Sequence, residues 1–258
     1  MKILWVLFRK EMMELTRNYK WMWMPMVFIL FGLTEPLTAY YLPEILNSVG
    51  DLPEGTVIQI PTPSSEEVLL STISQFNTFG ILVVVLGFMG IVSGERKSGN
   101  AVMVLVKPVS YHAYIYSKWL SATVLIWVSY ILGMLSSWYY INLLFEDIQA
   151  AAFLQTLFVY GIWLTFIITL VIFFSSIVNV SGLAAFFTIG LSILLNFVSG
   201  YLTKKLKWSP AQLSNYLDNI LFNQTWPKNL TITIILTSTL CLIILLITPV
   251  LFKKKELS

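Results

Sequence analysis

The richest run of chemically capable side chains is GERKSGNAVMVLVKPVSYHAYIYSKW, from Gly94 to Trp119. Its lysine, serine and glycines suggest a phosphate-binding loop, but GERKSGNA lacks the ordered, glycine-bounded GxxxxGK[ST] that would cradle phosphates on backbone N–H groups. ATP binding by that route is not expected. His112 is the single histidine, which excludes HExxH zinc chemistry and any multi-histidine metal site. An intramembrane serine protease would need a base within a span, and His112 reads as a loop residue. Met12, Met13, Met22, Met24 and Met26 stand without histidine or cysteine nearby, so a copper site is not expected either. Cys241 is the one cysteine; no intrachain disulfide can form, and it reads as a small buried hydrophobe. The expectation is a chain with no catalytic, cofactor-binding or metal-ligating residues, and so not an enzyme.

The elements that must position the remaining charges are apolar. The sequence is 57% hydrophobic and 11% charged, against about 25% charged in soluble domains. Charge-free runs extend over Val68–Gly94, Trp119–Phe145, Ile148–Thr203 and Asn229–Phe252. A helix rising about 1.5 Å per residue needs about 20 residues to cross the roughly 30 Å of hydrocarbon. Ile148–Thr203 holds two spans, with Ser175–Gly182 as the reversal, and Trp21–Leu42 is a further span interrupted only by Glu35. Six transmembrane helices are predicted, at about 21–42, 70–94, 119–143, 150–174, 181–203 and 230–252. The fold class is an all-α polytopic membrane protein. No cleavable secretory signal is expected, because the first apolar segment is too long and lacks a small-residue exit.

Short loops rich in lysine and arginine stay on the cytoplasmic side. Lys2, Arg9, Lys10, Arg17 and Lys20 precede span one; Arg96, Lys97, Lys107 and Lys118 follow span two; Lys253, Lys254 and Lys255 follow span six. Six spans place these three groups together, with both termini cytoplasmic and 253–258 as a short tail. The loop Pro43–Val68 carries five acidic residues and no basic one, as an outer loop should, and its VIQI fragment is too short to found a domain. Lys204, Lys205, Lys207 and Lys228 run against the pattern, and TKKLKW reads as an external interfacial anchor. In the outer loop 204–229, Ser209 is expected to cap one short amphipathic helix bearing Leu213, Tyr216, Leu217 and Ile220.

Residues 1–20 read as an N-terminal interfacial helix. Leu4, Trp5, Phe8, Met12 and Leu15 gather on one face and Lys2, Arg9, Lys10, Glu14 and Arg17 on the other, so the apolar side sinks into the headgroup boundary. Pro25 suggests a bend early in span one, and Pro36 a kink near Gly32–Pro36. Glu35 is the one formal charge inside a predicted span; it either lines a translocation path or meets the outer interface.

The opening run thus falls in an inside loop, 95–118. Glu95 sits at the membrane exit, Ser98 and Gly99 turn the chain, and AVMVLV forms a short surface element ended by Pro108. An element mixing charges and apolar side chains at the inner surface suits the docking of a soluble protein. GERKSGN followed by KPVSYHAYIYSK resembles the signature of permease subunits of the type-2 ABC exporter family, and LFRKEMMELTRNYKWMWMPMVF resembles that family's opening helix, with Lys10, Glu11 and Arg17 ahead of span one. Asn100 stands where that family commonly has threonine, and Tyr111 and His112 where an arginine is frequent.

The resemblance implies a cell-membrane permease, bacterial in its usual setting, that forms a translocation path as a homodimer or heterodimer. Two separate ABC ATPase subunits would bind ATP and Mg beneath it. It implies a cytoplasmic coupling helix between spans two and three, with Lys10, Glu11, Arg17, Glu95, Arg96 and Lys97 as partner contacts and Glu35 in the path. Nucleic acid has no place in this scheme. A membrane sensor or scaffold using the same ATPase, or a secondary transporter, are the alternatives. The last would call for broken helices at midmembrane and an inverted repeat.

Overall fold

A computed structural model describes residues 2–49, 62–106, 109–201 and 206–256. The VIQI fragment, Lys107, Pro108, Lys204 and Lys205 lie outside the described residues. Twelve α-helices are described: α1 (Lys2–Arg17), α2 (Lys20–Val49), α3 (Ser65–Gln75), α4 (Ile81–Phe88), α5 (Ser93–Lys97), α6 (Asn100–Leu105), α7 (Tyr111–Leu144), α8 (Ala150–Ile177), α9 (Ser181–Tyr201), α10 (Gln212–Asn215), α11 (Leu217–Asn223) and α12 (Leu230–Glu256). A π-helical turn, Phe76–Gly80, joins α3 to α4. Six helical stretches are long and apolar enough to cross a membrane: Lys20–Ile45, Ser65–Lys97, Tyr111–Leu144, Ala150–Ile177, Ser181–Tyr201 and Leu230–Lys255.

Two spans begin earlier than the charge-free runs suggest, and local capping is the reason. Ser64 accepts from the Glu67 backbone N–H while the Glu67 carboxylate accepts from the Ser64 N–H. This capping box satisfies two otherwise orphaned donors, so the span starts at Ser65 and carries Glu66 and Glu67 in its first turn. Ser110 caps α7 by accepting from Ala113 N–H, which brings His112 and Lys118 into the helix. His112 is exposed on its first turn and stands edge-on to Tyr116.

The turn between α1 and α2 falls at Asn18–Tyr19, where Tyr19 has φ 55, ahead of Pro25. Helix α2 is continuous through Pro25, Pro36 and Pro43. At Gly32 its backbone lies against Gly133 of α7 closely enough that a Cβ would sit 2.1 Å from the Gly133 carbonyl oxygen. Small residues at such crossings let membrane helices gain van der Waals contact where the hydrophobic effect supplies none.

Hydrogen bonds between helices add register. Thr72 meets Ser137 at 3.0 Å, Trp119 Nε1 donates to Thr169 and Trp127 Nε1 to Thr165 (2.9 Å each), and Trp163 Nε1 donates to Asn77 Oδ1 (2.9 Å). Helix α8 lies most deeply inside the bundle, whereas α2, α9 and α12 leave broad apolar surfaces outside, including Phe186, Ile193, Leu194 and Phe197 on α9.

The short outer segment departs from the single capped helix. Ser209 does not cap; it is buried and accepts from Ser199, while Gln212 donates to the Ser199 carbonyl oxygen. The chain then makes two pieces, α10 and α11, whose Leu213, Leu217, Ile220 and Leu221 are buried. Cys241 is buried within α12.

Candidate functional site: a buried ion cluster joining the first helix to the α5–α6 segment

Helix α1 turns Leu7, Glu11 and Leu15 toward the bundle. These positions are four residues apart and share one helix face, so a carboxylate sits in the middle of the packing stripe. Of the apolar face read from the sequence, Leu15 joins this packed row, Trp5 is exposed, and Phe8 and Met12 are half-buried. Helix α7 presents a matching stripe of buried Tyr114, Ile115, Lys118, Ser121, Ala122 and Leu125. Lys118 is 1% exposed, and its ammonium reaches both Glu11 oxygens at 3.0 Å and Glu95 of α5 at 2.8 Å.

Glu95 is the hub. Its Oε1 accepts from Lys118 and from Lys10 (2.7 Å), and its Oε2 from the Tyr114 hydroxyl (2.6 Å). Lys10 also pairs with Glu11 at 2.9 Å and Glu14 at 3.1 Å. Burial alone would lower the Lys10 pKa, but the neighbouring carboxylates of Glu11 and Glu95 outweigh it and raise it well above the ordinary lysine value. Oxygens of Glu11, Glu14 and Glu95 lie within 4.8 Å of one another, close enough to hold a metal ion. The two ammonium groups already stand where a cation would neutralise them, so the donor set fits lysine and not a metal. Nothing here is arranged as nucleophile and base; the cluster can hold elements together or move them together.

A second clasp adjoins it. Arg96 donates to the Ser176 carbonyl oxygen (2.9 Å) and to Asn179 Oδ1 (3.1 Å), at the α8–α9 turn. Lys255 of α12 donates to the Ile177 carbonyl oxygen on the same turn. Phe252 is fully buried, stacked on Tyr114 with centroids 5.6 Å apart and covered by the Arg96 guanidinium at 4.9 Å. The middle of α1 and the C-terminal ends of α8 and α12 thus meet at α5, at one end of the bundle. Phe252→Ala removes a buried aromatic from this junction and is expected to cost about 3–5 kcal/mol, read as a lower unfolding midpoint in detergent, with Phe252→Leu closer to wild type.

The residues expected to meet a partner therefore divide. Glu11 and Glu95 are buried and committed to the cluster, which corrects their reading as surface contacts; Lys10 is partly exposed but turned inward, and Arg96 is turned to the α8–α9 turn. Arg17 and Lys97 are exposed. Glu35 is half-buried on α2, remote in sequence from every member of the cluster. Sequence reasoning missed Lys118 and Tyr114, which it placed in a loop. The legible signal was Glu11 interrupting the Leu7–Leu15 stripe, and Lys118 continuing the 3–4 spacing of Tyr114, Ser121 and Leu125.

Beyond α5 the chain reverses at Gly99, whose φ of 78 lies in the left-handed region that glycine adopts without strain. It then forms α6, with Ala101 buried and Val102, Met103 and, just past its end, Val106 exposed at 52%, 71% and 81%. A six-residue helix with this much exposed apolar surface, anchored through α5 to the ion cluster, is a small platform at the end of the bundle.

Comparison with known proteins agrees with this architecture. Residues 5–257 match the family model described as ABC-2 family transporter protein. The chain is 38% identical over 223 residues to a Bacillus subtilis (strain 168) protein described as "Uncharacterized transmembrane protein YxlG", covering 86% of each chain. With six apolar helices of spanning length and a family match over nearly its whole length, this chain belongs to the ABC-2 family of membrane-embedded transporter proteins, whose members are non-catalytic permease components.

Proposed function

We propose that the chain is the permease subunit of an ATP-driven exporter, that two such subunits form the path across the membrane, and that separate ATPase subunits dock beneath them on α6 and the outer face of α1. The observation that carries this reading is the platform: Val102, Met103 and Val106 are exposed on α6, and Glu95 in the preceding α5 is tied to Lys10 of α1 and Lys118 of α7. Both termini and the α5–α6 segment face the cytosol in this reading, in keeping with their lysine and arginine content. Arg9, Met13 and Arg17 on the exposed face of α1 complete the docking surface, and Glu95 and Glu11 transmit force within the subunit.

The mechanism follows from rigidity. A ligand biases a conformational equilibrium only by its differential affinity for the two states. Nucleotide binding that closes an ATPase dimer displaces α6; because α6 is joined through α5 to α1 and α7 by buried ion pairs, α2 and α7 are carried with it. The test is copurification with a candidate ABC ATPase subunit co-expressed with this chain. Met103→Glu, which puts a charge on the platform without touching the cluster, is expected to reduce recovery of that protein at least tenfold while membrane insertion is unchanged. Recovery at the wild-type level would remove the docking assignment.

A further inference from the structure

Two cavities outside the ion cluster share one residue, Asn77, in the π-helical turn. The first, of about 340 Å³, lies toward the α10–α11 end and is lined by Ser71, Ser74, Asn77, Ser214, Asn215 and Asp218, with Leu70 and Ile73 behind them. The second, of about 420 Å³, lies deeper along α9 and is mainly apolar, with Ile81, Leu82, Ile189, Ile193 and Phe197 around Ser192 and Asn196. Each falls within the range of small-molecule sites, about 300–1,000 Å³. They adjoin at Asn77, and the cleft they flank changes from a polar lining beside α11 to a mainly apolar one beside α9.

Two features make the cleft directional. Trp163 Nε1 can only donate, so the Asn77 atom it meets at 2.9 Å is the carbonyl oxygen; this leaves the Asn77 amide N–H donors for the cavities that Asn77 lines. Trp163 is fully buried, which holds the amide in that orientation. Among the described residues, Asp218 is the one charged residue lining either cavity. The π-helical turn that presents Asn77 is a backbone irregularity of the kind found often at functional sites.

Resting on the exporter reading above, we infer that this cleft binds a cationic amphiphile: an amine opposite Asp218, a carbonyl acceptor at the Asn77 amide, and one hydrocarbon chain along Leu82, Ile193 and Phe197. A carboxylate at the mouth selects a cation, an amide donor selects an acceptor next to it, and the apolar depth selects a chain. Partial burial raises the Asp218 pKa above its ordinary value, consistent with a carboxylate that gains from a cationic partner.

The test measures saturable binding of three probes with the same tail to the purified chain in nanodiscs, corrected for empty discs: N-(2-aminoethyl)dodecanamide, the neutral N-(2-hydroxyethyl)dodecanamide and the anionic N-dodecanoylglycine. The amine is expected to bind at least tenfold tighter than the anion. Asp218→Asn, an exposed position that folding tolerates, is expected to erase most of that preference and leave the neutral probe unchanged. Asn77→Leu is expected to weaken the amine and neutral probes alike. Equal affinity for amine and anion, wild-type affinity in Asp218→Asn, or no binding above empty discs would overturn the assignment. Because the measurement needs no ATPase, its failure and a failure of the docking test are separate results.

Discussion

Lys118→Met is expected to lower the unfolding midpoint of the purified chain by roughly 10 °C. The side chain is almost completely buried, between Glu11 and Glu95, which are themselves nearly buried. Removing it leaves two buried carboxylates sharing the single Lys10 ammonium in a low-dielectric site, a loss of about 3–5 kcal/mol, where each kcal/mol moves the midpoint of a chain this size by about 2–4 °C. Methionine keeps the length and the packing, so the loss is electrostatic. Adding Glu11→Gln to Lys118→Met is expected to return part of the stability, because one of the stranded charges is then gone; residues in one ionic network couple by about 0.5–3 kcal/mol. Under the proposed exporter function, transport separates the two roles: the double variant, folded but with α1 no longer tied to α7, is expected to retain the ATPase subunit and transport poorly. A Lys118→Met chain that melts with wild type would show that the cluster is hydrated and loose.

The same residues show what could be read from sequence and what could not. The six spans were legible because hydrocarbon thickness imposes a length that few soluble segments share. The helix 2–17 was legible from its length and amphipathic pattern, but its orientation was not. Periodicity gathered Leu4, Trp5, Phe8, Met12 and Leu15 on one face for the headgroup boundary, but gave no sign that Leu7, Glu11 and Leu15 form the row packed on the bundle, where Glu11 reaches Lys118. That pairing joins positions 107 residues apart, and no local pattern specifies it. Span boundaries slipped for a related reason. A charge was taken to end a span, yet Glu67 belongs to a capping box and Lys118 to a buried cluster. Charges with partners extend a membrane helix where charges without them end it. The turn at Gly99 was anticipated from Ser98–Gly99; the π-helical turn at Phe76–Gly80 has no comparable signal, since FNTFG contains nothing that forbids an ordinary helix.

Gly133→Ala tests the other kind of contact, one in which no charge is involved. A Cβ on Gly133 would lie 2.6 Å from the carbonyl oxygen of Phe28 and 2.9 Å from its carbonyl carbon, with the Phe76 ring at 3.0 Å. The nearest obstacles are backbone atoms of α2, which no rotamer change can move, so the two helices must separate. Separation would also pull at the reciprocal approach of Gly32 to the Gly133 carbonyl oxygen, and at the hydrogen bond from Ser136 Oγ to the same oxygen (2.7 Å). Overpacking of this kind costs about 1–3 kcal/mol and sometimes more, and a backbone-to-backbone clash belongs at the upper end. Gly190→Ala in α9 is the control: among the described residues nothing lies within 4 Å of its added Cβ, and alanine in a helix interior is favoured over glycine by about 0.5–1 kcal/mol. The expected result is opposite signs, with the Gly133 variant melting several degrees lower and the Gly190 variant at or above wild type. If the Gly133 variant matched wild type, α2 and α7 would not pack backbone to backbone. The rigid unit through which movement of α1 and α5 reaches the membrane would then be lost from the mechanism.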